Sequence, residues 1–172
     1  MVGLVDMCLN RWWIVASRTA LSMPYLVDGN NLAHSLGLSA NGLADREACT
    51  AVVGSFCRSQ GAQATIVFDG PGRARPHPTS RLQRVNVVFG DGFSADRVIL
   101  RLLSTARAPG DYIVVTSDKS LGDKARHHGA RLERAHEFAR RLKRDAGDQG
   151  GKPDQDQTPG EIDAWLRVFE SR

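Results

Sequence analysis

Three apolar runs in this chain end in an aspartate: YLVDGNN at 25–31, TIVFDG at 65–70 and YIVVTSD at 112–118. A fourth aspartate, Asp96, follows Ser94-Ala95 at the start of a helical pattern. Taken singly, each acid fits an ordinary local role. Asp28-Gly29 and Asp69-Gly70 read as turn pairs, Asp96 as a residue favoured by the helix dipole and Asp118 as a helix cap. Together they read differently. Like charges about 5 Å apart at an effective dielectric of 20 cost roughly 3 kcal/mol per pair, so a chain that gathers four carboxylates needs a cation among them. All-oxygen ligands on separate elements suit Mg2+ or Mn2+ and not zinc. The chemistry such an ion supports is hydrolysis of a phosphate ester. Asn31 stands where it would orient a water or a phosphate oxygen, or else cap the next helix. Asp91 and Asp123 read as turn and helix-surface acids.

The elements that must position these groups follow from hydrophobic patterning. PYLVD (24–28), ATIVFD (64–69), RVNVVF (84–89), DYIVVTS (111–117) and ARLE (130–133) are strand candidates, nearly continuous in hydrophobicity as strands covered on both faces should be. Helical patterns run over 43–60, Ser94–Arg107, Leu121–His128 and Ala135–Arg144, with Gly129 as a stop signal. Strands alternating with helices predict an α/β fold with a parallel sheet and right-handed crossovers. Such sheets present functional groups at the carboxyl ends of their strands, which sends Asp28, Asp69, Asp96 and Asp118 to one rim.

The chain of 172 residues, 41% hydrophobic and 24% charged, suits one domain with a real core, and no apolar run is long enough to span a membrane. Residues 1–22 are expected to form a poorly ordered leader, with Met23 as the functional start. The domain proper is placed at 23–144, a polar linker at 145–160 and an amphipathic helix at 161–172, with Ile162, Trp165, Leu166 and Phe169 on one face. Cys8, Cys49 and Cys57 lack metal-type spacing and point to reduced thiols in the cytoplasm. The net charge of +4 is unevenly spread: Lys124 to Arg144 holds eight Lys or Arg against two Glu, and Arg73, Arg75, Arg81 and Arg84 crowd the stretch after Asp69. A basic face predicts a polyanionic partner, beside the plainer reading of a solvated helix surface. The histidines add little: His127 and His128 fit a helix C-terminus, and His77 lies in the arginine-rich stretch.

One competing motif is GDGFSA at 90–95, a G-x-G-x-x-A pattern in which Gly90, Gly92 and Ala95 would seat a dinucleotide pyrophosphate. It follows the third strand instead of the first and leaves the acids unexplained. A phosphatase working through an aspartyl phosphate would want an acid two after Asp28, where Asn30 stands.

From Tyr25 to about Leu142 the chain resembles the YacP-like NYN domain, a branch of the PIN-like ribonucleases. The resemblance rests on Asp28-Gly29-Asn30-Asn31, Phe68-Asp69-Gly70, Ser94-Ala95-Asp96, Val114-Val115-Thr116-Ser117-Asp118, Gly129-Ala130, Glu137-Phe138 and the final Glu161-Ile162-Asp163-Ala164-Trp165-Leu166. Asn30 departs from the family where an aromatic is common, and Arg134-Ala135-His136 where a serine is usual. The resemblance implies a PIN-like three-layer α/β sandwich around a mainly parallel sheet of about five strands. It also implies a metal-dependent endoribonuclease using Mg2+ or Mn2+, with Asp28, Asp69, Asp96 and Asp118 as metal ligands and Asn31 as a further catalytic residue. The expected partner is single-stranded RNA, free or presented by a ribosome, with no membrane and no small-molecule cofactor. Arg73, Arg75, Arg81, Arg84, Lys119 and Lys124 are the candidates for tracking its backbone. With few aromatics available, base stacking is expected to be minor. A non-catalytic RNA-binding module of the same fold is the alternative from a different class.

Overall fold

The Val- and Ile-rich runs form strands and the periodic segments between them form helices. The computed structural model describes residues 23–40, 42–71 and 84–148. In chain order these hold β1 (Tyr25–Asp28), α1 (Gly29–Leu36), α2 (Leu43–Gln60), β2 (Ala64–Phe68), β3 (Val85–Phe89), α3 (Ala95–Thr105) and a 3-10 turn at Pro109–Asp111. β4 (Ile113–Val115), α4 (Lys119–His127), β5 (Arg131–Glu133) and α5 (Ala135–Asp148) follow. The strands make one parallel sheet in the order β3-β2-β1-β4-β5.

Both faces of the sheet are covered, giving three layers. Tyr25 and Val27 of β1, Ile66 and Phe68 of β2 and Val115 of β4 pack with α1, α2 and α5. Their alternates Leu26, Val67 and Val114 pack with Ile99 and Leu103 of α3 and Leu121 and Ala125 of α4. This two-sided burial is why the three inner strands, β2, β1 and β4, read as nearly continuous apolar runs, whereas the edge strands β3 and β5 admit Asn86, Arg131 and Glu133. Arg141 of α5 ties the first layer together. Its guanidinium lies 5.5, 4.9 and 5.0 Å from the ring centres of Tyr25, Phe56 and Phe138 and donates to Glu133 at 2.8 Å.

Helix α1 is absent from the sequence expectation. Gly29, Asn30 and Asn31 are weak helix formers, and the eight-residue segment is set by its ends. Asp28 caps the start, and Gly37 at φ 86° closes the end by donating back to Ala33 and His34 carbonyls. Helix α5 runs to Asp148, four residues into the stretch expected as linker, and Gln60 donates to Asp145 across from α2. The leader, Arg73, Arg75, His77, Arg81, the rest of the linker and the C-terminal helix lie outside the described residues.

Candidate functional site

Asp28 ends the central strand and is almost wholly buried, at 2% exposure. Burial of a carboxylate is costly unless donors surround it. Three do: the Asn31 backbone N–H at 3.1 Å, the Asn31 side-chain amide, and the Thr116 hydroxyl from β4's end at 3.0 Å. Asp28 thus caps α1 through the Asn31 N–H, and the Asn31 side-chain amide is committed to the same carboxylate. Asp69, one residue past β2, accepts from the Asn30 side chain and from the Ala95 N–H at 2.6 Å, which fastens β2 to the start of α3. Asp96 lies in the first turn of α3. Asp118 is exposed and accepts from the Leu121 N–H at 3.0 Å, capping α4, while its own N–H donates to the Thr116 hydroxyl. The four acids stand at the carboxyl rim of β1, β2 and β4 and at the helix starts facing it.

Two of the acids, Asp96 and Asp28, feel the charges of the others. Burial raises the Asp96 pKa first, the charges of Asp28, Asp118 and Asp69 raise it further, and Lys124 opposes them. Asp28 is likewise raised, chiefly by burial and in part by Asp69, against the lowering effect of its Asn31 and Thr116 hydrogen bonds. Among the described residues none of the four acids makes an ion pair. Nor do three His, Cys, Asp or Glu side chains there close on a single point as an all-protein metal cage. Carboxylate oxygens are the donor chemistry that a hard cation such as Mg2+ would take.

Two residues that sequence reasoning did not single out complete the site. Thr116, fully buried, serves both Asp28 and Asp118; its only signal was a hydroxyl inside an otherwise apolar strand end. Arg46 of α2 donates to the Asp69 carbonyl at 2.9 Å and the Ala40 carbonyl at 2.6 Å, its guanidinium 5.4 and 5.6 Å from the Phe68 and Phe89 ring centres. Nothing local distinguishes it from any other helix arginine.

The basic candidates separate. Lys119 and Lys124 are exposed on α4 beside the acids. Arg84 precedes β3 and donates to the Gly61 carbonyl at 2.9 Å, so it sits at the amino rim, opposite the carboxylates. Asp123 pairs with Arg126 at 3.1 Å on the α4 surface, as expected of a solvated acid. The G-x-G-x-x-A stretch does not offer a pyrophosphate seat. A Cβ on Gly90 would meet the Phe93 carbonyl oxygen at 2.0 Å, so this glycine serves its own turn. The α3 start that a pyrophosphate needs already holds the Asp69 carboxylate on the Ala95 N–H and Ser94 on the Arg97 N–H.

Among the described residues no helix is long and apolar enough to cross a membrane. No curated protein matches this chain. Two crystal structures of Rae1 (YacP) from Bacillus subtilis resemble it. One, of a tryptophan-to-leucine mutant, has a TM-score of 0.55 and 21% identity, covering 86% of this chain and 91% of its own. The other Rae1 structure has a TM-score of 0.54 and 20% identity over 86% and 90%. At such identity the likeness shows the fold. The YacP-like NYN domain matches residues 25–163, which take in every acid of the rim, and the chain belongs to that PIN-like nuclease family.

Proposed function

We propose that this protein is a metal-dependent endoribonuclease whose active site is the carboxylate rim. The observation that carries the reading is the convergence of Asp28, Asp69, Asp96 and Asp118, with the Asp96 pKa raised first by burial and further by the other three charges. A protein that stores like-charge repulsion in a site without a pairing cation is arranged for a cationic ligand. The family supplies the substrate class, and Lys119 and Lys124 beside the acids suit a phosphate backbone.

The four acids would hold the ion, Mg2+ or Mn2+; when bound, it would lower the pKa of the attacking water and offset charge on the departing oxygen. The chain's own residues do the positioning. The Asn31 backbone N–H holds one oxygen of Asp28 and the Asn31 amide with the Thr116 hydroxyl holds the other, while Asn30 with the Ala95 N–H fixes Asp69, so two ligands are aimed before anything binds. Lys124 softens the negative field that would otherwise repel a phosphodiester. Water adds to phosphorus, the P–O3′ bond breaks, and the products carry a 5′ phosphate and a 3′ hydroxyl.

The test is cleavage of end-labelled single-stranded RNA with and without Mn2+, with Asp118→Asn as the control. Asparagine caps a helix about as well as aspartate, so α4 should survive while the charge is lost. Mn2+-dependent cleavage abolished by Asp118→Asn is expected. RNA binding without cleavage by the native protein would leave a non-catalytic RNA-binding module of the same fold.

A further inference from the structure

Phe93 is half exposed, and with Leu43 it is one of two large apolar side chains exposed among the described residues. The turn that presents it is tightly built. Gly90 donates to the Phe68 carbonyl at 3.0 Å, Asp91 to the Gly70 carbonyl at 3.3 Å, and Phe93 closes back on the Gly90 carbonyl at 2.9 Å. Asp91 has φ 42°, alone among described non-glycine residues in being positive, and Gly92 follows at φ 93°. A non-glycine residue in that region is strained and persists where the surroundings hold it. The backbone is thus bent against its preference, and the ring points outward all the same.

Immediately after the turn, Ser94 caps α3 and the Ala95 N–H binds Asp69, so Phe93 is rigidly referenced to the acids. It lies two residues before the first residue of α3 and three before Asp96 in that helix's first turn. The exposed Arg97 completes the feature, with its guanidinium 4.8 Å from the Phe93 ring centre. An aromatic ring joined to a guanidinium plane is the surface on which an unpaired nucleobase stacks, and the arginine also attracts the neighbouring phosphate.

We infer that Phe93 and Arg97 form a stacking platform for a base next to the scissile phosphate, which selects single-stranded RNA because bases inside a duplex are already stacked on their neighbours and offer no free face. The inference rests on the nuclease reading, and it revises the expectation that base stacking is minor here. It is tested with an RNA of about 12 nucleotides carrying 2-aminopurine, in EDTA for binding and in Mn2+ for cleavage. Phe93→Ala should weaken binding about tenfold, Phe93→Leu should weaken it similarly, and Phe93→Trp should retain it. Binding of a blunt duplex of the same sequence should not change, nor should the melting temperature of any variant. If Phe93→Ala binds the single strand as wild type does while the native protein cleaves it, the platform is wrong and the nuclease stands. If binding depends on Phe93 but the native protein never cleaves, the platform stands and the nuclease reading falls. Failure of the native protein to bind the single strand overturns both. A fall in melting temperature with unchanged affinity would make Phe93 a packing residue and overturn the inference.

Discussion

Thr116→Val tests how the buried carboxylate is held. Valine matches threonine in shape, so the change removes a hydroxyl from a fully buried position and leaves no cavity. Asp28 loses a 3.0 Å donor, and the Asp118 N–H loses its acceptor. Because Asp118 is exposed, water can satisfy its N–H, and the Asp28 term dominates. A hydrogen bond to a charged group contributes about 1.5–3 kcal/mol, so a loss of about 2 kcal/mol near neutrality is expected, a fall on the order of 6 °C in Tm. The pH dependence identifies the cause. Asp28 has a folded pKa above its ordinary 3.8, so its ionised form costs stability, and that cost is relieved as pH falls through the folded pKa towards 3.8. Losing the Thr116 donor raises that pKa further, so the mutational loss is full above it and shrinks as Asp28 protonates, towards the roughly 1 kcal/mol of a neutral hydrogen bond. Urea unfolding of both proteins in EDTA, near neutrality and at about pH 4.5, measures this. An equal loss at both pH values would assign the effect to packing and refute the carboxylate argument; no loss at either would show that Asp28 does not depend on Thr116.

Asp96→Asn should leave the metal-free protein at least as stable as wild type near neutrality, since an ionised group with a raised pKa is removed, and it should abolish cleavage. Mn2+ at a hundredfold excess over its Kd should stabilise wild type by about 2.7 kcal/mol and this variant far less, read from melting curves with EDTA and with Mn2+. Gly29→Ala should destabilise although alanine favours helices: the new Cβ would meet the Phe68 ring at 2.6 Å and the Val67 carbonyl at 2.9 Å, an overpacking cost of about 1–3 kcal/mol in denaturant unfolding. Arg46→Met keeps apolar contact with Phe68 and Phe89 but drops two hydrogen bonds. It should lower kcat more than it raises KM in the RNA assay by loosening Asp69, and an unchanged kcat would make Arg46 a structural residue only.

Much of this molecule is set by local pattern. Short Val- and Ile-rich runs bounded by turn residues read as strands buried on both faces, alternation with helices makes them parallel, and parallel strands put their final residues at one rim. The meeting of Asp28, Asp69, Asp96 and Asp118 was legible for that reason alone. What the tertiary structure decided are the contacts between distant residues. Thr116 and Asp28 are 88 positions apart and meet because β4 lies beside β1, a neighbour relation that no spacing encodes. Arg46 reaches Asp69 across a helix–strand packing contact, and Arg84 falls at the rim opposite the carboxylates because it precedes its strand. Phe93 reads as one more apolar residue until the turn at Asp91 and Gly92 carries its ring away from the core. Periodicity registers what each residue shares with its neighbours along the chain; the partners of a charge and the outward turn of a ring depend on strand order and on backbone dihedrals, which arise only when the layers pack.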